Sequence, residues 1–302
     1  MKKLIIAGGS GFLGQVLASY FSSRCEEIII FSRNPKSSNG KIRYVTWDAQ
    51  NLGTWTKELE GAEALINLTG KSVDCRYNAS NKAEILRSRI DSTNILNKAI
   101  HACITPPKHF INSSTATIYE HSLHHPNSEA NGIIGADFSM NVAKQWEAVF
   151  FEESRDETMK TALRTSIVLG NSGGAFPKMK QITALGLGGK QGNGQQIISW
   201  IHVLDYARSV EFILDKKLTG VINVTAPHPI TNEDFMQNLR HKLGAKFGLN
   251  SPKFLLKIAA FFMRTETELL LKSRFVIPQR LLSAGFLYQF GTIEACLGDL
   301  TG

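Results

Sequence analysis

A glycine-rich turn near the start of the chain has the residue types and spacing that bind a diphosphate. It reads GGSGFLG over residues 8–14, follows an apolar run at Lys3–Ala7, and opens an amphipathic, helix-like segment. Glycines let the backbone approach a pyrophosphate, and a helix N-terminus offers it free N–H groups. The pattern predicts dinucleotide binding rather than an ordinary flexible strand-turn-helix, through Gly8, Gly9, Ser10, Gly11, Phe12, Leu13 and Gly14.

The second predicted strand ends in Ser32 and Arg33 rather than in an acidic residue. A carboxylate at this point would bind the ribose 2′-hydroxyl, whereas the planar fork of an arginine matches a 2′-phosphate. Lys36 is close enough in sequence to assist. The alternative is a solvated arginine in a turn ahead of Pro35. The position favours NADP(H) over NAD(H).

One carboxylate after the third predicted strand is also a candidate cofactor contact. Asp48 could accept a hydrogen bond from the adenine amino group, or it could be a turn residue ahead of Asn51 and Gly53. The sequence leaves both interpretations open.

The elements that must position these residues alternate between strand-like and helix-like patterns. Apolar residues recur at helical spacing over 12–21 and 85–100. Such alternation predicts an α/β fold, a Rossmann-like, doubly wound parallel sheet. The predicted strands are 3–7, 28–31, 42–47, 64–68, 110–112, 161–169, 197–203 and 221–224.

The alternation of strand-like and helix-like patterns ends after Gly170. Residues 171–196 are rich in glycine and predict a long shaped loop, and Asp205 could cap the helix that follows the next strand. From Pro227 onward the chain is mainly helical, with Thr231–Asp234 resembling a capping box. We therefore expect an NAD(P)-binding domain over 1–225, including this loop, and a smaller, mainly helical C-terminal lobe over 226–302 that contributes to the substrate cleft.

Composition narrows the class of partner. The formal charge of +8 and the pI near 9.3 suit an anionic small molecule, but no dense basic tract predicts nucleic-acid binding. The four cysteines form no C-x-x-C pair, which argues against zinc and for a reducing compartment. No apolar run is long enough to cross a bilayer. The expectation is a cytoplasmic protein without a metal site, nucleic-acid partner or membrane segment.

Several segments along the whole chain resemble one family. They are GGSGFLG (8–14), FSRNP (31–35), ALINLTG (64–70), ILRSRIDST (85–93), LRTSIVLG (163–170), LGLGGKQGNGQQIISWIHVLD (185–205), VTAPHPITNEDF (224–235) and VIPQRLLSAGF (276–286). The chain resembles atypical or extended short-chain dehydrogenases/reductases, and more narrowly the sugar-nucleotide epimerase-like proteins that end in a short C-terminal domain of unassigned role.

The resemblance implies a nicotinamide cofactor and carries roles over by position. Ser32 and Arg33 would hold the 2′-phosphate, and Ile167 would reach the cofactor through its backbone. Glu84 and Arg89 would touch the cofactor. Without the resemblance, their spacing would favour a solvated charge pair on a surface helix. The ribose on the nicotinamide side would be lined by Leu68, Thr69 and Gly70.

In this superfamily hydride transfer relies on a Tyr-x-x-x-Lys pair and a Ser or Thr, and this chain lacks the pair. Thr115, with Ser114 beside it, matches the hydroxyl position, although both could simply bond to backbone at a strand end. The helix that should carry the pair, 138–150, offers Met140-x-x-x-Lys144, or Ser139 and Ala143 if the alignment shifts by one residue. Lys144 is therefore a cofactor contact or merely a surface lysine. Substitute acids are Asp137, Glu147, Tyr119 and His202.

Two functions follow from these residues. The first is an NADP(H)-dependent oxidoreductase or epimerase/dehydratase with an unusual acid–base group, acting on a polar, anionic substrate, with nucleotide sugars among the candidates. The second is a protein that binds or senses NADP(H) without turnover, which the missing pair supports.

Overall fold

The computed structural model describes residues 1–152, 155–252, 254 and 272–302. Its centre is a seven-stranded parallel sheet. The strands of the whole described chain are β1 (Lys3–Ala7), β2 (Glu27–Ser32), β3 (Ile42–Thr46), β4 (Ala64–Asn67), β5 (His109–Thr115), β6 (Met159–Thr165), β7 (Ile167–Leu169), β8 (Ile197–Ile198), β9 (Trp200–His202), β10 (Gly220–Val224) and β11 (Ile230–Thr231). The order in the sheet is β10-β6-β5-β4-β1-β2-β3, which confirms the predicted Rossmann-like fold.

Helices cover both faces of the sheet. The helices of the described residues are α1 (Phe12–Phe21), α2 (Ala79–Ala102), α3 (Phe138–Glu152), α4 (Phe176–Ile182), α5 (Val203–Asp215), α6 (Asn232–Lys242), α7 (Gln279–Ser283) and α8 (Ile293–Thr301). Short 3₁₀ turns lie at Thr54–Leu59 and Ala116–Ile118, and a π turn at Thr183–Leu187 follows α4.

The central strands are apolar without interruption because both of their faces are buried. On β1, Leu4 and Ile6 point to the core beneath α1 and α5, and Ile5 and Ala7 point to the core beneath α2 and α3. Two apolar layers therefore fix both pairs of helices, and with them the loops at the carboxyl edge of the sheet.

Two predicted strands are broken in the structure. The predicted run 161–169 divides at Ser166 into β6, which lies in the main sheet, and β7, which pairs with β9 instead. The run 197–203 divides into β8, which pairs with β11, and β9. A further apolar core, separate from the two layers of the main sheet, packs against these short strands and includes Trp200, Phe235 and Leu297.

Asp205 does not cap α5, contrary to the expectation from sequence. His202 occupies the cap position, and its Nδ1 accepts a hydrogen bond from the N–H of Leu204. The buried Asp205 carboxylate instead binds Arg208 and accepts hydrogen bonds from the N–H groups of Gln289 and Phe290 at 3.0 and 2.7 Å. The C-terminal segment is thus attached directly to α5.

The predicted domain boundary at 225/226 remains a prediction, since the described core does not divide there. Leu281 and Phe286, from the predicted lobe, are part of the same apolar cluster as Val210 and Ile222. Thr231 caps α6 by accepting from the N–H of Asp234, as the capping-box pattern predicts.

A buried ion pair fixes α3 against the sheet. Arg164 of β6 donates from Nε and Nη2 to the two carboxylate oxygens of Glu147, at 2.9 and 2.7 Å, and both side chains are 10% exposed. Arg164 also donates to the Tyr119 hydroxyl, which in turn donates to Asn223. The hydroxyl of Ser114 donates to the same carboxylate at 2.6 Å. The angular position of α3 is therefore set by charge as well as by packing.

Replacement of Glu147 by alanine is expected to lower the free energy of unfolding by about 3–5 kcal/mol, because it leaves the Arg164 guanidinium buried without its counter-charge. The measurement is urea denaturation followed by circular dichroism. Lys144→Ala is the matched control, since Lys144 is exposed on the same helix and its loss should change stability by less than about 0.5 kcal/mol. Equal stability of the two variants would show that the pair does not hold α3.

Candidate functional site

The turn between β1 and α1 is built on close backbone contacts. A Cβ atom at Gly14 would lie 2.3 Å from the Cα of Gly9, so the start of α1 rests directly on the end of the strand. Gly8 has a φ of +71°, and a Cβ there would lie 2.9 Å from the Thr69 hydroxyl. Side chains at these positions would push α1 away from the carboxyl edge of the sheet.

Open space and unused donors meet at the N-terminus of α1. A Cβ at Gly11, the residue before the helix, would find only the Gly8 carbonyl oxygen within 4 Å, at 3.9 Å. No side chain caps the helix, and the first N–H groups of a helix have no intrahelical partner. Ser10, Phe12 and Leu13 belong to the same turn, and the Phe12 ring lies against Gly173 of the glycine-rich segment. The turn therefore has the free donors and the local space that an anion would need.

The end of β2 carries an exposed cation. Arg33 forms no ion pair with any described residue, whereas the buried Ser32 hydroxyl is bonded to the backbone of Asn34. The pKa of Glu84, on α2, is lowered mainly by its hydrogen bond from Lys71 and also by the positive charge of Arg33. The charge of Arg33 therefore acts on a carboxylate of α2.

Asp48 is a turn residue in the structure. Its Oδ1 accepts from the N–H groups of Gln50 and Asn51 at 2.9 Å each, and its Oδ2 accepts from the Asn51 side chain at 2.8 Å. Of the two interpretations left open by the sequence, the geometry shows the turn, and a contact with adenine remains a prediction.

A cavity of about 320 Å³ lies where β4 and β5 end, between α2 and α3. Residues 68–73, after β4, and residues 113–115, at the end of β5, are part of its lining. Leu68, Thr69, Gly70, Ser114 and Thr115 all line this cavity, as the carboxyl ends of neighbouring parallel strands must meet at one edge.

The structure decides between the two possible alignments of α3. Ser139, Ala143 and Trp146 line the cavity, whereas Lys144 is exposed and does not. Met140 is buried and packs at Gly135, where a Cβ would lie 2.1 Å from its sulfur. The cavity positions therefore hold serine and alanine, and a functional role for Lys144 remains a prediction that its exposed position does not support.

Four of the hydroxyl-bearing residues that line this cavity differ in their hydrogen-bond partners. The Ser114 hydroxyl donates to Glu147, and Thr115 Oγ1 accepts from the N–H of Thr117 at 3.1 Å. The hydroxyls of Thr69 and Ser139 are buried without a hydrogen-bond partner in the described structure. Since buried polar atoms are almost always paired, these two point to a polar ligand that completes them.

Glu84 and Arg89 do not pair with each other, so the alternative interpretation of them as a solvated charge pair is wrong. Glu84 pairs with Lys71 at 2.5 Å, and Arg89 donates to the carbonyls of Lys71 and Ile85 at 3.1 and 2.9 Å. The Arg89 guanidinium lies against Gly70 and 5.1 Å from the Trp146 ring centroid. Burial lowers the pKa of Arg89 to about 10, so it remains a cation at neutral pH, and within the described chain it has no carboxylate partner.

The other proposed acids are engaged elsewhere, and none lines the cavity. Asp137 accepts from the N–H of Met140 and pairs with Lys272. Glu147 and Tyr119 belong to the ion-pair network, and burial raises the pKa of Tyr119. His202 is buried, bonded to Asp299 at 3.1 Å, and burial lowers its pKa. Ile167, the proposed backbone contact, is 37% exposed at the start of β7.

Sequence reasoning missed Tyr77, which lies two residues before α2 and lines the cavity. Its ring makes an edge contact with Phe138, with centroids 5.2 Å apart and planes at 68°. No recognised motif contains Tyr77, so only the packing of its loop reveals it.

The described residues contain neither a cluster of metal-binding side chains nor a helix that could span a membrane. None of their acidic, histidine and cysteine side chains gather in threes at a point where a metal ion could bind. None of the helices they form combines the length and apolar character needed to cross a bilayer.

Comparison with known proteins agrees with the geometry of the turn. The sequence profile of the NAD dependent epimerase/dehydratase family matches residues 4–225, and that of DUF1731, a domain of unknown function, matches residues 251–300. The human Epimerase family protein SDR39U1 is 32% identical, and the Epimerase family protein SH2119 of Staphylococcus haemolyticus is 30% identical. Each alignment covers 99% of both chains.

Solved structures of relatives share the whole fold. The crystal structure of human SDR39U1 (isoform 2) with NADPH superimposes with a TM-score of 0.89 at 31% identity, covering 99% of each chain. A nucleoside-diphosphate sugar epimerase from Corynebacterium glutamicum superimposes with a TM-score of 0.77 at 26% identity, over 99% of this chain and 58% of that one. The family resemblance in the sequence is confirmed, and the chain belongs to the NAD dependent epimerase/dehydratase family.

Proposed function

We propose that this protein binds NADP(H) at the carboxyl edge of its sheet and uses it to oxidise or reduce a small polar substrate in the cavity of α2 and α3. The observation that carries the proposal is the turn at residues 8–14, where α1 approaches the strand and leaves open space at Gly11. The human relative with the same fold over 99% of both chains was crystallised with NADPH. This supports the same cofactor for this chain.

The diphosphate would lie at the N-terminus of α1, because this is where free N–H groups and the positive end of the helix dipole coincide. The residues proposed to contact it are Gly8, Gly9, Ser10, Gly11, Phe12, Leu13 and Gly14. Arg33 and Ser32 would then hold the 2′-phosphate at the end of β2, with Asp48 on the adenine side.

The nicotinamide half would lie over the end of β4. Leu68, Thr69 and Gly70 line that edge, and the unpartnered Thr69 hydroxyl is free to bond a ribose hydroxyl. Glu84, Arg89 and Ile167 are the remaining proposed contacts. When bound there, the nicotinamide supplies or accepts a hydride at the mouth of the cavity.

The substrate would occupy the cavity beside Thr115 and Ser139. The Thr115 hydroxyl and the unpartnered Ser139 hydroxyl can orient an oxygen of the substrate, and the cation of Arg89 favours an anionic one. The Corynebacterium relative is named a nucleoside-diphosphate sugar epimerase, which supports nucleotide-linked sugars as the substrate class.

A second candidate function is binding or sensing of NADP(H) without turnover. The observation that favours it is the cavity face of α3, where Ser139 and Ala143 replace the pair that normally transfers the proton. Purified protein with NADPH and a panel of carbonyl compounds and nucleotide sugars separates the two, because only the enzyme oxidises the cofactor.

Arg33→Ala is expected to weaken NADPH binding by about tenfold to a hundredfold, because hydrogen bonds to a charged group contribute about 1.5–3 kcal/mol. NADH, which lacks the 2′-phosphate, should bind nearly as before. The measurement is titration of nicotinamide fluorescence. Arg87→Ala, which removes an exposed arginine of α2, is the control. Equal losses for both nucleotides would contradict the assignment of Arg33.

Gly11→Ser and Gly14→Ser form a second test, because the same side chain meets open space at one position and backbone at the other. Gly11→Ser should keep the wild-type melting temperature and lose at least about tenfold in NADPH affinity, since the hydroxymethyl group occupies the diphosphate space. Gly14→Ser should lower the free energy of unfolding by about 1–3 kcal/mol or more. Undiminished NADPH affinity in Gly11→Ser would place the cofactor elsewhere.

A further inference from the structure

We propose that Tyr77, which lies just before α2 and lines the same cavity as Arg89, is the proton donor and acceptor of the cavity. This inference rests on the proposed function, and it assigns to α2 the chemistry that the cavity face of α3 has lost. Tyr77 and Arg89 line the same cavity as Thr115 and Ser139, so the phenol and the proposed substrate oxygen share one space.

The position of Tyr77 is fixed on both sides. Its ring packs edge-on against Phe138, the first residue of α3. The next residue, Asn78, caps α2 by accepting from the N–H of Asn81, and Asn81 in turn donates to the carbonyl of Arg76 at 2.7 Å. A proton donor must be held in place to act in a transition state, and these contacts hold the backbone around the phenol.

Arg89 supplies the positive charge that a lysine supplies in the usual pair. Its guanidinium is held by two backbone carbonyls and has no carboxylate partner in the described structure, so its charge is not neutralised. Tyr77 is near enough for its phenolate to act electrostatically on Arg89. By the same interaction, the cation favours the phenolate over the phenol.

Several charged side chains of the neighbouring described elements are paired with each other. Lys71 pairs with Glu84, Asp74 pairs with Lys178, and Asp137 pairs with Lys272. Lys82, on α2, lies 5.1 Å from the ring centroid of Phe138. Of the side chains named here, Arg89 and Lys82 are the ones without a carboxylate partner in the described structure.

The remaining tyrosines do not offer this chemistry. Burial raises the pKa of Tyr20, Tyr119, Tyr206 and Tyr288. Neither these four side chains nor that of Tyr44 line the cavity. Tyr77 is thus distinguished from them by both place and surroundings.

The proposed step balances in the direction of reduction. The carbonyl carbon of the substrate accepts a hydride from NADPH, its C=O π electrons move onto oxygen, and that oxygen takes the phenolic proton of Tyr77. The products are the alcohol, NADP⁺ and a Tyr77 phenolate beside Arg89. Water returns the proton to the phenolate, since Tyr77 is only half-buried. In oxidation the same groups act in reverse.

The first test needs neither substrate nor cofactor. Ultraviolet difference titration measures the ionisation of tyrosines in the intact protein. The wild type should contain one tyrosine that ionises below the ordinary value of about 10, and Tyr77→Phe should lack it. Arg89→Gln should move this ionisation upward, and Arg89→Lys should largely restore it. Tyr44→Phe, which removes a tyrosine from β3, should retain it.

The second test separates this inference from the proposed function. Tyr77→Phe should bind NADPH as the wild type does, and with any substrate that turns over it should reduce kcat by about 10²–10⁴-fold. If Tyr77→Phe changes the titration only at or above pH of about 10, or keeps the wild-type kcat, the assignment of Tyr77 is wrong while NADPH binding still stands. If the wild type fails to bind NADPH, the proposed function is wrong and the catalytic assignment falls with it, whatever the titration shows.

Discussion

The site depends on one contact, between the backbones of Gly9 and Gly14. Only glycine at position 14 allows the first turn of α1 to lie directly on the end of β1, because any side chain atom would come within 2.3 Å of the neighbouring backbone. That contact aims the unpaired N–H groups of α1 at the carboxyl edge of the sheet. Every other proposed contact, from Arg33 at one end to Thr115 at the other, is placed relative to this edge.

The second constraint is the buried pair of Arg164 and Glu147, which determines which face of α3 the cavity meets. With this pair in place, Trp146 and Ser139 point into the cavity and Lys144 points to solvent. The same carboxylate receives the Ser114 hydroxyl, so that hydroxyl serves the structure. The cavity therefore has hydroxyls and an arginine, but no acid or base on α3.

The glycine turn and the apolar strands could be predicted from sequence because their signals are local. Strand-forming runs, helical periodicity and glycine spacing each depend on neighbouring residues, and together they specify the parallel sheet. The face of α3 that meets the cavity could not be predicted, since Arg164, the partner that fixes the helix through Glu147, lies on β6. His202 caps α5 in place of Asp205. The sequence predicts one strand over 197–203, so it does not show that β9 ends at His202 and that α5 begins at Val203. Tyr77 carries no local signal, and a packed loop alone brings it to the cavity.

The anchoring of Asp205 has a consequence for the autonomy of the two halves of the chain. Its carboxylate has no accessible surface, and two of its partners are backbone N–H groups contributed by residues 289 and 290. In a chain of residues 1–225, the buried Asp205 carboxylate would lose both of these N–H donors. The apolar cluster beneath α1 and α5 would also lose Leu281 and Phe286. The terminal segment therefore contributes both apolar side chains and hydrogen-bond donors to the interior of the first 225 residues.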